Sequence, residues 1–276
     1  MSEGLKRDYE IGEEIGRGRF GAVFRCYSAE SGETLAVKTI DKTRLTDPTD
    51  RQLVEREAKI TLLAAAGNPH VVQIHAVYED DSSIHLVLDL LPGPDLFDHI
   101  SGRGGPIPEP EAAALMAQLM DALATCHQRG IAHRDVKPDN VMFDSRGRLQ
   151  LVDFGSAECF GDGRTMRGMV GTPYYVAPEV VEGREYGEKV DVWSAGVILY
   201  LMLGGIPPFY GETAVEIFEA VVRGNLRFPS RIFSSVSPAA KDLIRRMLCR
   251  DASRRFSADQ VLRHPWIVGG GGALPT

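Results

Sequence analysis

Two short stretches, 132–140 and 153–155, constrain this chain more than any other part of it. The residues between them form two apolar runs on either side of a turn-forming segment at 144–147, which predicts a β-hairpin. In an antiparallel hairpin the residue before the first strand lies beside the residue after the second. We therefore expect Asn140 and Asp153 to be neighbours in space.

The residue types around this hairpin indicate a reaction. An amide oxygen from Asn140 beside the carboxylate of Asp153 suits Mg²⁺, which prefers oxygen ligands. Asp135 is free to accept the proton of a substrate hydroxyl, and Lys137 adds a positive charge for a bound phosphate. The pattern predicts phosphoryl transfer. Taken singly, these residues have a plainer interpretation, in which Asp135 and Asn140 form turns and Asp153 caps a strand.

Composition narrows the class of protein. The net charge of -7 and the pI near 5.6 argue against binding to nucleic acid or to an anionic membrane. The four cysteines are scattered without a CxxC pair, and no secretory leader opens the chain, so we expect reduced thiols and a cytoplasmic location. At 276 residues the chain suits two lobes that share a cleft.

A glycine-rich segment, Gly16 to Val23, lies between two β-prone runs near the start of the chain. A GxGxxG pattern also occurs in dinucleotide-binding folds, where the third glycine opens a helix. Here the residues after Gly21 are β-prone, so the pattern predicts a strand, a flap and a strand whose amides cover phosphates. A plain glycine-rich hairpin is the alternative interpretation.

Lys38 and Glu57 are predicted to face each other. Lys38 faces inward in the apolar strand 34–40, where a lysine needs an anion. A helix that begins near Asp50 carries Glu57 as the only charge in its inward stripe, whereas Glu55 falls off that stripe. The stripe consists of Leu53, Glu57, Ile60 and Ala64. A buried ion pair that binds no ligand is the alternative.

In order and spacing, His133-Arg134-Asp135 through Asn140, followed by Asp153-Phe154-Gly155, resemble the catalytic loop and metal-binding motif of eukaryotic protein kinases. The resemblance implies an α+β, bilobal protein kinase fold with a small β-rich N-lobe and a larger helical C-lobe. It places a kinase domain at 9–266, with the N-lobe at 9–88, the hinge at 89–94 and the C-lobe at 95–266. We expect 267–276 to be a flexible tail.

The resemblance also implies roles, with ATP and Mg²⁺ as cofactors. Catalytic roles fall to Lys38, Glu57, Asp135, Lys137 and Thr172, and the metal ligands would be Asn140 and Asp153. The implied ATP-binding residues are Ile15, Gly16, Arg17, Gly18, Arg19, Phe20, Gly21, Ala22, Val23, Ala36, Lys38, Leu88, Asp89 and Leu91. Asp95 and Asp139 would recognise the substrate and favour a basic residue upstream of the phosphorylated one. As an N-cap, Asp95 also has a simple structural interpretation.

Two further pairings follow from the resemblance. Glu179 would pair with Arg255 and fix the end of the loop that follows the metal motif. Asp191, in the apolar and therefore buried helix 190–203, would hold the backbone of the turn at His133 and Arg134.

A narrower resemblance concerns the calcium- and calmodulin-dependent branch of serine/threonine kinases. It rests on four segments, Glu55-Arg56-Glu57-Ala58, Asp95-Leu96-Phe97, 171–179 and His264-Pro265-Trp266. As a bare catalytic domain, the chain is most similar to the plant phosphoenolpyruvate carboxylase kinases. This implies a monomer with phosphoenolpyruvate carboxylase as its protein substrate. Gly93-Pro94-Asp95 stands where Gly-Gly-Glu is commoner, which leaves the peptide preference open.

The last expectation concerns how the enzyme is regulated. The residue four before Thr172 is Gly168, which cannot be phosphorylated, so we expect activity without phosphorylation of the activation loop. The segments flanking the fold are too short for a calcium-binding EF-hand, so we expect no need for calcium. The alternatives are another protein substrate, a pseudokinase scaffold, or a kinase of small molecules. A pseudokinase normally lacks Lys38, Asp135 or Asp153.

Overall fold

The computed structural model describes residues 2–18, 21–45, 48–161 and 163–272, without the side chains of 48–53. The N-terminal part is an antiparallel five-stranded sheet in the order β1-β2-β3-β5-β4. Its strands are β1 (Tyr9–Gly18), β2 (Gly21–Ser28), β3 (Thr34–Asp41), β4 (Ile74–Glu79) and β5 (Ser83–Asp89). Helix α1 (Glu3–Asp8) precedes the sheet, and helix α2 (Pro48–Ala65) connects β3 to β4.

The C-terminal part is helical, with short strands near the cleft. The strands are β6 (Ile131–Ala132), β7 (Val141–Phe143), β8 (Leu149–Leu151) and β9 (Glu158–Cys159). The longer helices are α4 (Glu109–Gln128), α6 (Lys189–Gly204), α7 (Ala214–Arg223) and α9 (Pro238–Met247). The shorter ones are α3 (Leu96–Ser101), α5 (Pro178–Val181), α8 (Ser230–Phe233), α10 (Ala258–Leu262) and α11 (Pro265–Val268). The predicted α+β, bilobal architecture is confirmed.

The core of the helical lobe is built around α6. This helix is apolar on nearly all sides, as the sequence predicts, and the side chains of Trp193 and Ile198 are fully buried. Helix α4 packs an apolar stripe that includes Met116 and Met120 into the same core. The two methionines therefore fill core space.

The sequence pattern at 71–78 predicts one strand, but the segment divides between the lobes. Its first residues leave the sheet, because Val72 donates to the carbonyl of Leu151 and Leu151 donates to the carbonyl of His70. Only Ile74 onward pairs with β5. This backbone contact ties the loop after α2 to the hairpin that carries the metal motif.

The chain does not leave the domain at residue 266. The predicted boundary falls inside α11, and backbone bonds continue to Gly272. Trp266, which is 1% exposed, donates its indole N–H to Glu109 across 2.6 Å. The same carboxylate accepts 2.7 Å hydrogen bonds from the hydroxyl and the backbone N–H of Ser237. Residues 267–272 of the expected tail thus continue the backbone hydrogen bonding of the helical lobe, and 273–276 lie outside the described residues.

Within the described ranges, none of the helices combines the length and the apolar character that crossing a bilayer would take.

Candidate active site

Lys38 on β3 and Glu57 on α2 form an ion pair. Lys38 Nζ lies 2.6 Å from Glu57 Oε1, and the side chains are 30% and 15% exposed. The pairing follows from the two periodicities, since each side chain is the charged member of an inward apolar row. Leu53, which the sequence placed in the same stripe, has a side chain outside the described residues. The pair fixes an ammonium group at the edge of the cleft between the lobes.

Asp153 and Gly155 lie against this pair. A Cβ built on Gly155 would lie 3.1 Å from Asp153 Oδ1 and 3.5 Å from Glu57 Oε2, so a side chain there would crowd the Asp153 carboxylate and touch that of Glu57. Asp153 has φ 61° and ψ 76°, a left-handed conformation that is strained in a non-glycine residue, and its carboxylate accepts from the Gly155 N–H. The structure therefore brings the metal motif next to the Lys38–Glu57 pair.

Asp135, Lys137 and Thr172 form a second cluster. The hydroxyl of Thr172 donates to Asp135 Oδ1 across 3.0 Å. Lys137 Nζ lies 3.2 Å from Asp135 Oδ2 and donates to the Thr172 hydroxyl across 3.3 Å. The cluster joins the catalytic loop to the segment before α5, and it presents a carboxylate and an ammonium group together, as the sequence predicts.

Asn140 connects the clusters through the predicted hairpin. Val141 pairs with Leu151, and Val152 donates to the Asn140 carbonyl across 3.0 Å, so the ladder ends one residue before Asp153. The amide nitrogen of Asn140 donates to the backbone carbonyl and the carboxylate of Asp135, at 2.8 and 3.2 Å. Since the amide nitrogen makes these bonds to Asp135, the amide offers its oxygen as a ligand for a metal ion.

This donor set fits Mg²⁺. In proteins Mg²⁺ is held by one or two carboxylates together with substrate phosphates, instead of by a closed cage. One carboxylate, Asp153, and one amide oxygen, Asn140, match that pattern. Among the described residues, no group of three or more His, Cys, Asp or Glu side chains is arranged to hold a metal ion.

Asp191 on α6 fixes the backbone of the catalytic loop through hydrogen bonds. Its fully buried carboxylate accepts from the backbone N–H groups of His133 and Arg134, at 2.9 and 2.8 Å, and from His127 Nε2 at 2.9 Å. Burial alone would raise the pKa of Asp191, but the His127 hydrogen bond and charge, with further help from the loop, lower it below the ordinary 3.8. The side chain therefore stays ionised, and it supports the left-handed backbone of Arg134, φ 68°.

Most of the predicted nucleotide-binding residues lie on strands β1, β2, β3 and β5 of the sheet. Gly16, Arg17 and Gly18 pair with Val23, Ala22 and Gly21 across the β1–β2 turn. Ile15 on β1 is 41% exposed, and Ala36 pairs with Leu88 across β3 and β5. Arg19 and Phe20 lie outside the described residues.

The hinge follows β5. The N–H of Asp89 donates to the Gln73 carbonyl, and its side chain binds His75 and the Gln73 N–H. Leu91 is partly buried two residues later. The side chain of Asp89 therefore has a structural role, and the predicted contact with a nucleotide would involve its backbone.

The two predicted substrate acids flank the catalytic loop. Asp95 caps α3 by accepting from the Asp98 N–H at 2.8 Å, and its backbone bridges to Met142 on β7. Asp139 is exposed in the short 3-10 turn at Pro138–Asn140. Asp95 therefore has the capping role that the sequence left open, while Asp139 presents a carboxylate to solvent.

The buried ion pair at the end of the segment is present as expected. Arg255 makes two hydrogen bonds with Glu179, at 2.6 and 2.9 Å, and the two side chains are 0% and 3% exposed. The pair fixes α5, and with it the segment that carries Thr172, to the last helices.

The sequence reasoning assigned no role to Glu158 or to Arg56, which lie at the site together with Arg134. The carboxylate of Glu158 lies 2.6 Å from Arg134 and 3.5 Å from Arg56. No periodicity relates these positions, which are far apart in sequence. The one available signal is that Arg56 and Arg134 each directly precede a predicted catalytic acid, Glu57 and Asp135.

The family model for the protein kinase domain matches residues 9–267. The chain belongs to the protein kinase family, and it is an enzyme that uses ATP and Mg²⁺ as that family does.

Curated plant proteins are similar to this chain over nearly its whole length. It is 42% identical to calcium-dependent protein kinase 21 of Arabidopsis thaliana over 271 residues, which cover 97% of this chain and 50% of that protein. It is 42% identical to calcium-dependent protein kinase 10 of Oryza sativa subsp. japonica, over 98% of this chain and 45% of that protein. Calcium-dependent protein kinase 2 of Arabidopsis thaliana is 44% identical, over 96% and 41%. The chain spans about half the length of these relatives.

Proposed function

We propose that this kinase transfers the γ-phosphate of ATP to a serine or threonine hydroxyl of a protein. The observation that carries the proposal is the cluster in which Thr172 and Lys137 both contact the Asp135 carboxylate, at 3.0 and 3.2 Å. A carboxylate held in one orientation can accept the proton of an incoming hydroxyl, which makes its oxygen a better nucleophile. The adjacent ammonium group can stabilise negative charge on the group in transfer.

Each remaining site residue has a defined task in this proposal. Lys38, held by Glu57, binds phosphate oxygens of the nucleotide. Asp153 and Asn140 would hold Mg²⁺, which supplies neutralisation of phosphate charge when bound. The backbone from Gly16 to Gly21 covers the phosphates, and the hinge backbone at Asp89 and Leu91 receives the adenine.

The substrate proposal rests on charge and on resemblance. Asp139 exposes a carboxylate one residue before Asn140, and the backbone of Asp95 bridges to Met142, two residues after Asn140, so a peptide with a basic residue upstream of its hydroxyl is favoured. Among such proteins we propose phosphoenolpyruvate carboxylase, on the similarity of the bare catalytic domain to the plant kinases of that enzyme.

We also propose that these 276 residues act without calcium and without phosphorylation of the activation loop. Gly168 offers no hydroxyl at the expected position. The charge of Arg134, which an added phosphate would otherwise neutralise, is already paired with Glu158 at 2.6 Å.

We further propose that the enzyme is cytoplasmic and monomeric. The free thiols of all four cysteines support the cytoplasmic location. Size-exclusion chromatography with light scattering measures the oligomeric state directly, and a mass near 60 kDa instead of 30.2 kDa would contradict the monomer.

The testing experiment measures transfer of radiolabel from γ-labelled ATP. Purified, phosphatase-treated enzyme is incubated with phosphoenolpyruvate carboxylase, with a serine peptide that has an arginine three residues upstream, and with the same peptide carrying alanine in place of the arginine. Each reaction runs with calcium and with a calcium chelator. We expect label on serine or threonine of the carboxylase and of the arginine peptide, unchanged by chelation.

Lys38→Met serves as the inactive control, since it removes the ammonium group while keeping an unbranched side chain. If no protein or peptide is labelled, the result contradicts kinase activity. A pseudokinase scaffold would give that result. Labelling of the peptide alone would contradict the carboxylase as substrate, and activity lost on chelation would contradict calcium independence.

A further inference from the structure

Glu158, the first residue of β9, lies where three elements of the active site meet. Its carboxylate is 2.6 Å from Arg134 Nη1 on the catalytic loop and 3.5 Å from Arg56 Nη2 on α2. Arg134 directly precedes Asp135, and Arg56 directly precedes Glu57. One carboxylate thus contacts the chain neighbours of two site residues that belong to different lobes.

The burial of Arg134 makes this contact necessary. Its side chain is only 9% exposed, and a guanidinium group removed from water needs a negative partner. Its other partners are neutral, namely the Ser156 carbonyl at 2.7 Å and the Tyr186 hydroxyl at 3.2 Å. Glu158 is therefore the group that compensates the charge.

The second contact of Glu158 is with Arg56 on α2, the long helix of the small lobe. Arg56 is 40% exposed and donates to the Ala157 carbonyl across 2.8 Å, so it approaches the same short segment at two points. Helix α2 must stay in place for Glu57 to hold Lys38. A contact that attaches α2 to the segment after the metal motif acts directly on that requirement.

We propose that Glu158 is a positioning residue that couples α2 to the catalytic loop through Arg56 and Arg134. A fixed carboxylate there supplies the negative charge that a reversible phosphate supplies in switchable enzymes. The inference rests on the proposed function and gives its phosphate independence a structural cause, because the regulatory charge is part of the sequence.

The test compares Glu158→Gln with Glu185→Gln as the matched control. Glu185 pairs with Arg167 in the same region, but both side chains of that pair are exposed. We expect Glu158→Gln to lower kcat/KM for ATP about tenfold, mainly through KM, and to speed amide hydrogen exchange in residues 54–65 of α2. Glu158→Asp, which keeps the charge, should recover part of both effects, and Glu185→Gln should change neither.

Arg56→Gln keeps the coupling testable if Glu158→Gln folds poorly, since it breaks the second contact and leaves Arg134 paired. It should speed exchange in α2 to a similar degree, and the two substitutions together should do little more than either alone. Unchanged exchange and unchanged KM for ATP in Glu158→Gln or Arg56→Gln would overturn the proposal. If the parent transfers no phosphate, the proposed function fails, whereas the exchange measurement still decides the coupling.

Discussion

Thr172 donates its hydroxyl hydrogen to Asp135 across 3.0 Å, which joins the segment before α5 to the catalytic loop. The bond spans 37 positions of sequence and directs one oxygen of the carboxylate. The other oxygen faces Lys137 at 3.2 Å. The orientation of Asp135 thus depends on a residue that has no acid or base chemistry of its own.

Thr172→Val removes this hydroxyl while keeping the shape of the side chain. We expect kcat to fall about tenfold, because the loss of one hydrogen bond to a charged group is worth roughly 1.5–3 kcal/mol and part of it is recovered by Lys137. Thr172→Ser keeps the hydroxyl and should retain most of the activity. Steady-state kinetics with a serine peptide measure both, and equal loss in the two variants would contradict the role of the hydrogen bond.

Asp135→Asn removes the proton acceptor and keeps the size of the side chain. Turnover should fall by a factor on the order of 10² or more, while nucleotide affinity stays near that of the parent, because Asp135 is not among the proposed nucleotide ligands. Single-turnover phosphate transfer and fluorescence titration with a nucleotide analogue separate the two quantities. A variant as active as the parent would refute the assignment.

Arg255→Ala should lower the unfolding free energy of the domain more than the substitution of an exposed residue nearby. It leaves Glu179 buried without its partner, which costs about 3–5 kcal/mol of unfolding free energy. The neighbouring Arg254, which is exposed, provides the control, and Arg254→Ala should change stability by less than about 0.5 kcal/mol. Urea unfolding followed by circular dichroism compares them, and similar midpoints for the two variants would contradict the prediction.

Asp191 should contribute to stability in a pH-dependent way. Burial raises its pKa, but the hydrogen bond from His127 and the other loop contacts outweigh this and lower the pKa below 3.8. A depressed pKa in the folded state means that the contribution is present above the unfolded value and is lost as the pH falls through the folded one. The unfolding free energy of the parent should therefore exceed that of Asp191→Asn by a constant amount between pH 7 and pH 5, about 2–3 kcal/mol.

Below about pH 4 this difference should shrink, because protonation removes the same charge from the parent. Urea titrations at several pH values measure the difference between the two proteins. A difference that does not change down to the lowest pH at which the parent folds would show that the ionised form of Asp191 has no special role.

The sequence predicts the parts of this site that periodicity controls. Lys38 and Glu57 are 19 positions apart, yet each is the charged member of an apolar row, so their meeting follows from strand and helix geometry. Asn140 is brought to the metal motif by an antiparallel hairpin, which strand pattern and turn residues also reveal. The pairing of Glu179 with Arg255 required the family resemblance, since nothing local relates those two positions.

Other features depend on tertiary packing and leave no local signal. A strand pattern cannot show which partner a strand selects. The pattern at 71–78 therefore places Val72 in the small-lobe sheet, although its backbone N–H binds the carbonyl of Leu151. Helix α1 is too short for a periodic signal, and its place is set by Leu5, which is fully buried against the back of the sheet. Glu158 is a similar case, because no local pattern in the sequence identifies the partner of this acid, which lies far from Arg56 and Arg134 along the chain.

The bonds between Glu109 and the last helix have a practical consequence for recombinant work. A gene shortened to stop before Trp266 would remove the indole that binds this carboxylate and open a gap beside the first turn of α4. The truncated product would show apolar surface to solvent and should aggregate during purification. A protein expressed through residue 272 keeps the contacts between the last helix and the first turn of α4. These contacts include Gly271, which lies too close to the Glu109 carbonyl for any side chain to fit.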